Sequence, residues 1–305
     1  MSNGIQSSRV WNSLSKSISE AIEAVQDSIV TIHGGGHETA SGVVWRPGVI
    51  VTVRSGLRRN ELIKVADRGE PFDARVAGTD AGTDLAVIRV ESSNLKPADT
   101  SGLESTRVGE LVLSVGRSAL GDISASSGII ARLGSPWRTW RGGRIDRLVR
   151  PDVRLYVGQS GSALVNEDHR VLGINSPALA RNAIITVPTQ TIDRVVDAIL
   201  ERGHVPQPFL GIAMQAVPVP ETLRAQFAEG ADQVLLVLHV EADAPAASAG
   251  VLVGDLIASL NGDPVHDVRD ALHRIAGLSV GDPVSLVVVR GGARMELTLT
   301  VADRG

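Results

Sequence analysis

Three short segments of this chain carry residue types that acyl-transfer chemistry needs. The first is residues 158–164, Gly-Gln-Ser-Gly-Ser-Ala-Leu, in which Ser160 lies between closely spaced glycines. A serine in so tight a turn presents its hydroxyl, and the backbone N–H groups of Gly158 and Ser160 can point into one pocket and bind an oxyanion. Taken alone, the segment also fits an ordinary Gly/Ser turn.

The other two segments precede the first in the chain. Residues 82–88 read Gly-Thr-Asp-Leu-Ala-Val-Ile and place Asp84 directly before an apolar run. An aspartate there is either an ordinary turn residue or a carboxylate that orients a histidine. Residues 51–57 read Val-Thr-Val-Arg-Ser-Gly-Leu, with hydroxyl groups at Thr52 and Ser55.

The composition removes several classes of site. The chain has 305 residues, no cysteine, and 30 basic against 34 acidic residues, which gives a formal net charge of −4. Without cysteine there is no thiol nucleophile, disulfide, thiolate zinc site or iron–sulfur cluster. The charge balance argues against a chain that binds nucleic acid or a membrane surface over its whole length. We expect no cofactor and no metal.

Sequence patterns also bear on the compartment. No apolar run approaches the 18 or so residues that a spanning helix needs. Serine, lysine and glutamate recur through residues 13–23, where a signal peptide requires an uninterrupted apolar core. These patterns predict no membrane span and a cytoplasmic protein as the sequence is written, or a periplasmic protein if its N-terminus is trimmed.

Short apolar runs broken by Gly, Asp and Pro predict strands in the first 203 residues. They lie at residues 42–45, 49–53, 85–90, 110–115 and 127–131. Runs of this length and spacing are typical of an all-β barrel or sandwich. We predict two helices beside them. One surrounds a capping-box pattern at 17–20, with apolar positions from Leu14 to Ile29, and the other covers 192–200 and ends at Gly203.

The pattern changes after residues 204–208, a short proline-bearing segment that we interpret as a linker. It divides the chain into a first domain of residues 1–203 and a second of residues 209–305. Predicted strands of the second domain lie at 210–217, 234–240, 256–260, 284–289 and 295–301. A helix near 267–276 stops at Gly277, and the whole is the pattern of a small α+β module.

Taken together, these segments resemble the HtrA/Deg family, in which a trypsin-like protease domain precedes a PDZ domain. The resemblance rests on residues 158–164, the Gly-Ile-Asn of 173–175, the Ser-Gly-Ile-Ile of 127–130 and the Thr-Asp-Leu-Ala-Val of 83–87. It implies a mostly β fold, with a trypsin-like double antiparallel β-barrel followed by a C-terminal α+β PDZ domain. It also implies that Ser160 is at the nucleophile position, that Gly158 and Ser160 form the oxyanion hole, and that Asp84 is at the position of the triad aspartate.

The histidine position departs from the family pattern. The family has Val-Thr-Asn-x-His-Val after a Ser-Gly-Val strand, and alignment on Thr52 puts Ser55 at the histidine position. A serine hydroxyl cannot accept the nucleophile's proton at neutral pH, so no general base remains. We predict a vestigial triad of Ser160, Asp84 and Ser55 in an inactive protease. The expected loss is about 10⁶ in turnover, or about 8 kcal/mol of transition-state stabilisation.

A surrogate base would have to be one of the seven histidines. His33 and His37 precede the strand at 41–44 and reach the cleft only if their loop folds back. His169 lies in a turn after Ser160, on the far side from the hydroxyl, and the other four are in the linker or second module. The alternative function is therefore an active serine endopeptidase that uses Ser160 with an unexpected base.

Two further departures concern the nucleophile segment itself. Gln159 and Ser162 stand where the family has Asn and Gly, and either residue can leave the oxyanion hole misformed. A lipase interpretation, from His33-Gly-Gly-Gly and the near match to Gly-x-Ser-x-Gly, fails because that fold needs strands alternating with helices. A metal pair of His33 and His37 fails because three glycines between them disfavour the helix that would align them.

The second module contains the residues of a PDZ peptide site. Phe209, Leu210, Gly211 and Ile212 resemble the carboxylate-binding loop, and residues 244–251, 254–257 and 261–262 match the stretches that follow it. In this mode a peptide C-terminus adds a strand beside 212–217, and its carboxylate meets the N–H groups of the loop. Leu272 and Ile275 are candidates for its apolar pocket, although core packing is the simpler role for at least one of them.

The family does not explain residues 137–150, which carry five arginines at three-residue intervals and two tryptophans. Gly142 and Gly143 suggest a hairpin tip. An anionic partner is one interpretation, but without a basic domain we favour a solvated hairpin whose tryptophans cover a barrel edge or subunit contact, and nucleic acid is not expected.

The function predicted from the whole sequence is an HtrA-like pseudoprotease. It would bind unfolded or C-terminal peptide segments as a scaffold, chaperone-like or regulatory protein. The family resemblance implies a homotrimer, for which Trp11 is a candidate contact, and an active HtrA homologue is a further possible partner.

Overall fold

The computed structural model describes residues 2–34, 39–57, 62–68, 70–91, 95–118, 120–265 and 267–304. The chain forms two compact units, Met1–Val205 and Pro206–Gly305. The first is a pair of closed six-stranded barrels and the second an α+β sheet, so the predicted mostly β fold class is confirmed. None of the helices in these residues is both long and apolar enough to cross a bilayer.

The first barrel is antiparallel throughout and is closed in the order β1-β2-β3-β6-β5-β4. Its strands are β1 (Ile29–His33), β2 (Thr39–Arg46), β3 (Val49–Val53), β4 (Leu62–Ala66), β5 (Phe72–Asp80) and β6 (Leu85–Arg89). All five residues of β3 are buried, because this strand has the barrel interior on one face and the second barrel on the other.

The second barrel is closed in the order β11-β14-β13-β12-β7-β8. Its strands are β7 (Leu111–Arg117), β8 (Ile123–Gly134), β11 (Leu148–Pro151), β12 (Ala163–Val165), β13 (Val171–Ser176) and β14 (Ile185–Pro188). A separate two-stranded hairpin, β9 (Trp137–Arg138) with β10 (Arg144–Ile145), lies between β8 and β11 in the chain. The hairpin predicted around Gly142 is therefore present.

Two helices accompany the barrels, α1 (Ser2–Val25) and α2 (Thr189–Arg202). Helix α2 ends where predicted, because Gly203 adopts φ 82° and its N–H caps the Ile199 carbonyl. The predicted capping box at 17–20 is wrong: the helix begins fifteen residues earlier, and the Ser19 hydroxyl bonds the Ser15 carbonyl 3.1 Å away within it. Ile29, which we assigned to the helical pattern, is the first residue of β1.

The second unit is one sheet in the order β16-β17-β18-β20-β21, with β19 on β18 and the small pair β15-β22. Its elements are β15 (Pro208–Phe209), β16 (Ile212–Pro218), β17 (Gln233–Val240), α3 (Pro245–Ser248), β18 (Leu256–Leu260), β19 (Asp263–Pro264), α4 (Val268–Ala276), β20 (Pro283–Arg290), β21 (Ala293–Thr300) and β22 (Ala302–Asp303). Helix α4 starts at an N-cap, because the Asp267 carboxylate accepts from the Asp270 N–H at 2.7 Å.

A buried cluster shared by the two barrels positions the candidate site. Val53, Leu85, Ala163 and Ile174 lie in this cluster and come from β3, β6, β12 and β13. The chain segments that flank these residues carry Ser55, Asp84, Ser160 and Ser176. Packing of the strands therefore brings the flanking turns to one region between the barrels.

Candidate functional site

The nucleophile segment forms a tight turn that the first barrel holds in place. The Ser41 N–H donates to the Ser160 carbonyl at 2.8 Å, and the Ser41 hydroxyl donates to the Gly158 carbonyl at 2.9 Å. Thr52 in turn donates its hydroxyl to the Ser41 carbonyl at 2.6 Å. Sequence reasoning treated residues 41–43 only as a family strand and missed this role of Ser41.

Gly161 shows why the turn needs glycine after Ser160. It adopts φ 83°, and an added Cβ would lie against the Ser41 carbonyl and 2.7 Å from the Thr52 hydroxyl. A side chain there would be strained in its backbone conformation and would also meet fixed backbone atoms. The same contact places the turn against Thr52 and Val53, and Val53 lies two residues before Ser55.

Two N–H groups of the turn are left without a partner among the described residues, those of Gly158 and Ser160. The N–H of Gln159 between them donates to the Tyr156 carbonyl at 3.0 Å, and the N–H of Gly161 donates to the Asn175 carbonyl at 2.9 Å. The free donors are thus the pair that the sequence predicts for the oxyanion hole. Their ability to bind an oxyanion stays a prediction.

The two atypical residues of the turn have structural partners. Gln159 is fully buried, its amide oxygen accepting from the Tyr156 N–H at 2.8 Å and its amide nitrogen donating to the Ser124 carbonyl at 2.7 Å. Ser162 is also buried, and its hydroxyl bonds the Ser114 hydroxyl at 2.9 Å and the Asn175 amide at 3.2 Å. Both side chains brace the turn from behind, away from solvent.

Asp84 lies in a turn of the first barrel and is only 2% exposed. It adopts φ 58°, a left-handed conformation that aspartate tolerates better than most residues. The Asp80 carboxylate holds the turn by accepting from the N–H groups of Gly82 and Thr83 at 3.1 and 3.0 Å. From the other side, the Thr139 hydroxyl of the β9–β10 hairpin donates to the Gly82 carbonyl at 2.7 Å.

The Asp84 carboxylate accepts three hydrogen bonds. Ser55 donates its N–H to Oδ1 and its hydroxyl to Oδ2, both at 2.9 Å. Ser176, at the end of β13 in the second barrel, donates its hydroxyl to Oδ2 at 2.6 Å. The sequence predictions joined Asp84 and Ser55 but missed Ser176, although it directly follows the Gly-Ile-Asn segment that carried part of the resemblance.

Ser55 itself lies in a single helical turn, Arg54–Gly56, that follows β3 and is fixed to the Asp84 turn by the bond from the Arg54 N–H to the Asp84 carbonyl at 2.8 Å. Its side chain is exposed, so the space beyond its hydroxyl is open to solvent. The hydroxyl can donate to a carboxylate, but it is not a base at neutral pH. The arrangement therefore holds a serine hydroxyl at Ser160 and a carboxylate at Asp84, with no imidazole contacting either among the described residues.

The histidines are placed as follows. His33 ends β1, and the next residue, Gly34, packs so closely on Gly56 that an added Cβ would overlap the Gly56 carbonyl. The chain before residue 35 therefore runs beside the Ser55 turn. His169 lies in a left-handed turn between β12 and β13, with φ 64°. His37 and His266 lie outside the described residues, and the described ones hold no cluster of three potential metal ligands.

The predicted peptide loop of the second unit lies between β15 and β16. Leu210 is buried in the core of that unit, and its carbonyl accepts from the Ala246 N–H at 3.0 Å. The Gly211 carbonyl accepts from the Glu241 N–H at 2.9 Å. Both carbonyls thus accept hydrogen bonds, whereas the N–H groups of Leu210 and Gly211 have no partner among the described residues. Phe209 pairs with Ala302 in β15–β22, and its ring lies 5.5 Å from the Arg304 guanidinium.

Strand β16 begins at Ile212 and has a single neighbour, β17, so its other edge is open within the described part of the chain. Helix α4 lies beside β15 and β16. Of the two pocket candidates on this helix, Ile275 is buried in the core, and Leu272 is 54% exposed. The simpler role of core packing therefore applies to Ile275.

Comparisons with known proteins agree with this architecture. Residues 40–174 match the trypsin-like peptidase domain family, and residues 208–301 match the PDZ domain family. A probable periplasmic serine endoprotease of DegP-like type from Pseudomonas putida (strain GB-1) is 31% identical over 245 residues, which are 79% of this chain and 50% of that protein. The chain belongs to the HtrA family.

Other relatives extend the match along the chain. A DegP-like endoprotease of Brucella suis biovar 1 (strain 1330), also named periplasmic, is 29% identical over 281 residues, which are 88% of this chain and 54% of the relative. The chain spans about half the length of the curated HtrA relatives that it matches. The names of these relatives fit the periplasmic alternative and give no support to the cytoplasmic prediction.

Solved HtrA structures cover nearly the whole chain. The serine endoprotease from Yersinia pestis is 25% identical, with a TM-score of 0.71, and the match covers 94% of this chain and 98% of that one. The HtrA-type protease AlgW with a tripeptide is 27% identical, with a TM-score of 0.66 and coverage of 94% and 97%. The predicted resemblance to the HtrA family is thus confirmed, whereas the roles of the individual site residues remain predictions.

Proposed function

We propose that this chain is a non-proteolytic HtrA protein that binds unfolded or C-terminal peptide segments as a scaffold, a chaperone-like protein or a regulatory partner. The observation that carries the proposal is the set of donors around Asp84. Ser55 bonds this carboxylate through both its N–H and its hydroxyl, at the position where the family pattern has histidine. Ser176 supplies the third donor, so each oxygen of the carboxylate has a hydrogen-bond partner and none of these donors is an imidazole.

The missing imidazole matters because peptide hydrolysis needs a proton acceptor next to the nucleophile. Ser160 must lose its hydroxyl proton as it attacks, and a histidine performs that step by taking the proton and later passing it to the leaving amine. Neither Ser55 nor Ser176 can replace it, because both are hydroxyl donors to Asp84. The barrier is raised by about 8 kcal/mol when the base is absent.

The rest of the cleft supports binding without cleavage. The N–H groups of Gly158 and Ser160 have no partner among the described residues, and the turn that presents them is braced by Ser41, Gln159 and Ser162. A peptide carbonyl would find two donors there even though the acyl transfer does not follow. A cleft of this kind holds a peptide and releases it unchanged.

The PDZ unit offers the second binding site. The open edge of β16 can accept an extended peptide as an added strand, and the free N–H groups of Leu210 and Gly211 suit a terminal carboxylate. Leu272, exposed on α4, is our candidate for contact with the last side chain of the peptide. The HtrA-type protease AlgW has been solved with a decapeptide and with a tripeptide, which supports peptide binding in this family.

Assembly, compartment and domain boundaries are part of the same proposal. We place the boundary between the protease-like and PDZ domains at residues 204–208. We infer a periplasmic location from the names of the relatives. We also infer a homotrimer, and a possible association with an active HtrA protein, from membership of the family.

The deciding experiment measures cleavage of fluorescently labelled unfolded casein by the wild type, Ser160→Ala and Ser55→His. We expect the wild type and Ser160→Ala to be equally silent, and Ser55→His to recover Ser160-dependent cleavage. A fluorophosphonate probe that labels Ser160 gives a second readout of base-assisted nucleophilicity. Cleavage by the wild type that disappears in Ser160→Ala would show that the proposal is wrong.

One observation favours a second candidate, an active endopeptidase with a surrogate base. Gly34 packs on Gly56, so the end of the described segment that contains His33 lies beside the Ser55 turn. If the wild type cleaves casein, His33→Ala and His37→Ala separate the two histidines, and the variant that loses cleavage identifies the base. His169→Ala is the matched control, because His169 lies in the turn between β12 and β13.

A further inference from the structure

The β9–β10 hairpin combines a fixed stem with an exposed tip. In the stem, Ile145 is fully buried, and the Asp146 N–H donates to the Thr191 hydroxyl of α2 at 2.8 Å. Gly143 packs on the Asp84 turn so closely that a Cβ on Gly82 would lie 2.6 Å from the Gly143 Cα. The hairpin is therefore well anchored, and its tip is exposed in a fixed position.

The tip presents one large aromatic ring to solvent. Trp140 is 74% exposed, and the Arg141 guanidinium stacks on its ring at 4.5 Å from the centroid. No atom of the described chain lies within 4 Å of a Cβ built on Gly142, so space is open at this residue, whereas the next residue packs on Gly82. A guanidinium stacked on an indole is a favourable contact, and it places a cation and a large apolar ring together at the surface.

The surroundings of the tip are cationic. Arg138 and Arg144 are direct cross-strand partners, an arrangement of like charges that destabilises a sheet. Arg194 of α2 lies near both, and burial together with the charges of Arg144 and Arg194 lowers the pKa of Arg138. Asp146 is shared between Arg144, at 3.0 Å, and Arg194, at 3.2 Å.

Two further carboxylates, those of Asp80 and Asp84, are buried in the turn on which Gly143 packs. Arginines at 138, 141, 144 and 194 outnumber these two and Asp146, and of the three carboxylates only Asp146 reaches solvent. The exposed charge of the hairpin is therefore positive.

We propose that this hairpin tip docks on an anionic lipid bilayer surface, with Trp140 in the interface and Arg138, Arg141 and Arg144 near the headgroups. Tryptophan is enriched at the membrane–water interface, and basic side chains near an anionic leaflet each strengthen binding. The shape of the tip decides between partners. A nucleic-acid strand is bound along a positive groove, and an acidic peptide requires a groove or a long strand edge. Here each strand of the hairpin has only two residues, too few to add a peptide strand, and Trp140 and Arg141 are exposed next to each other on the loop that joins them, which suits contact with a plane.

Co-sedimentation of the full chain with vesicles tests the proposal. We expect binding to phosphatidylglycerol–phosphatidylcholine vesicles that weakens in high salt, and none to pure phosphatidylcholine vesicles. Arg141→Gln is expected to lower the binding about five-fold, and Trp140→Ala by at least as much. Inorganic phosphate at the same ionic strength as sodium chloride is expected to compete no better than chloride, because the surface rather than a single headgroup is bound.

Leu120→Ala is the matched control, since this side chain is 90% exposed and lies outside the hairpin. It is expected to bind like the wild type. All three substituted side chains are exposed, so an unchanged melting temperature shows that the variants are folded. Equal binding to both kinds of vesicle, or binding that Trp140→Ala leaves unchanged, overturns the proposal. Trp140-dependent binding of single-stranded DNA or an acidic peptide, without binding to vesicles, also overturns it.

Discussion

Asp255 of the PDZ unit and Asp84 of the barrel unit are both buried, and the two are held in opposite ways. In the PDZ unit, Asp255 is 1% exposed and faces Arg290, whose Nε and Nη2 donate to the two carboxylate oxygens at 2.7 and 2.8 Å. In the barrel unit, Asp84 is 2% exposed and all three of its donors are neutral, the N–H of Ser55 and the hydroxyls of Ser55 and Ser176.

Under the proposed function, the contrast is between a carboxylate that holds a fold together and one that remains from a catalytic triad. A buried charge is stable when a cation faces it in good geometry, and Asp255 has a two-pronged guanidinium partner. Among the described residues, Asp84 has no ion-pair partner, and it lies in a strained left-handed turn. A left-handed backbone outside glycine is typical of functional sites, and together with the missing cation it supports our proposal that the Asp84 pocket is the remnant of a triad.

The residues that brace the nucleophile turn and the residue at position 55 differ in how much the fold depends on them. Ser41, Gln159 and Ser162 brace the nucleophile turn through buried hydrogen bonds, and the loss of any of them would leave polar groups unsatisfied. The side chain at position 55 is exposed, and its main contact is with Asp84. A residue whose role was chemical can be replaced at little cost to the fold, and position 55 is where the family pattern is broken.

The largest expected effect in this comparison is that of Asp255→Asn. One end of the asparagine amide is a donor, and in either orientation it would face a donor of the Arg290 guanidinium, joined in one orientation by the Leu252 N–H. We expect the PDZ unit to lose about 3 kcal/mol of unfolding free energy. Hydrogen exchange of the full chain in urea reports the two units separately. Asp263→Asn is the control, because its exposed pair with Arg274 contributes less than about 1 kcal/mol. Equal losses in the two variants would contradict the structural role of Asp255.

Acid is expected to act on the same pair. Burial by itself raises the pKa of Asp255, but the bonds from Arg290 and the Leu252 N–H, with the arginine charge, outweigh it and hold the pKa below its usual value. A folded-state pKa below the unfolded one gives stability that is present above the unfolded pKa, about 3.9, and is lost as the pH falls through the folded pKa. Protection of the PDZ amides is therefore expected to fall below about pH 4.

The control for this pH dependence is Glu221→Gln. The Arg224 guanidinium also lowers the pKa of Glu221, through a hydrogen bond and its charge, but that pair is on the surface. Removing it should leave most of the acid response in place, whereas Asp255→Asn should flatten the response. An acid response that persists in Asp255→Asn would assign it to other carboxylates.

Local patterns predicted those parts of the fold in which a single run of residues decides the structure. Strands β3 and β18 begin and end as expected, because apolar runs bounded by turn residues define them. The start of α1 was missed because residues 2–13 lack a clear apolar period, so a Ser-x-x-Glu pattern inside the helix resembled its beginning. Strand β5 was missed because much of it is exposed and its apolar residues do not alternate cleanly.

The residues of the candidate site also differ in whether the sequence alone reveals them. Ser160 and Asp84 lie in motifs that a single sequence displays, and these motifs also identified Ser55. Ser176 contacts Asp84 across 92 residues, and Thr139 bonds Gly82 across 57. Such contacts arise from closure of the two barrels against each other, and no local spacing encodes them. They were visible only once the strands had been placed.

A smaller effect is expected for Ser176→Ala. It removes the shortest donor to Asp84, which leaves the buried carboxylate short of a partner, and also the acceptor of the Ala178 N–H at 3.2 Å. We expect a loss of about 1.5 kcal/mol in the barrel unit, measured by the same exchange experiment. Ser55→Ala is the matched control, with an expected loss of about 0.5 kcal/mol, because water can replace an exposed hydroxyl. A loss in Ser55→Ala as large as that in Ser176→Ala would mean that Ser55 is part of the structural frame.

The smallest effect is expected for Asp84→Asn, and it tests the comparison most directly. An asparagine oxygen can accept from the Ser55 N–H, while its amide group donates to the hydroxyls of Ser55 and Ser176, which can reverse their roles from donor to acceptor. Asparagine also tolerates the left-handed backbone at this position. We therefore expect the unfolding free energy of the barrel unit to change by less than about 0.5 kcal/mol, where the same substitution at Asp255 costs about 3 kcal/mol. A large loss in Asp84→Asn would show that the fold depends on the Asp84 charge, and the pocket would then be structural rather than the remnant of a catalytic triad.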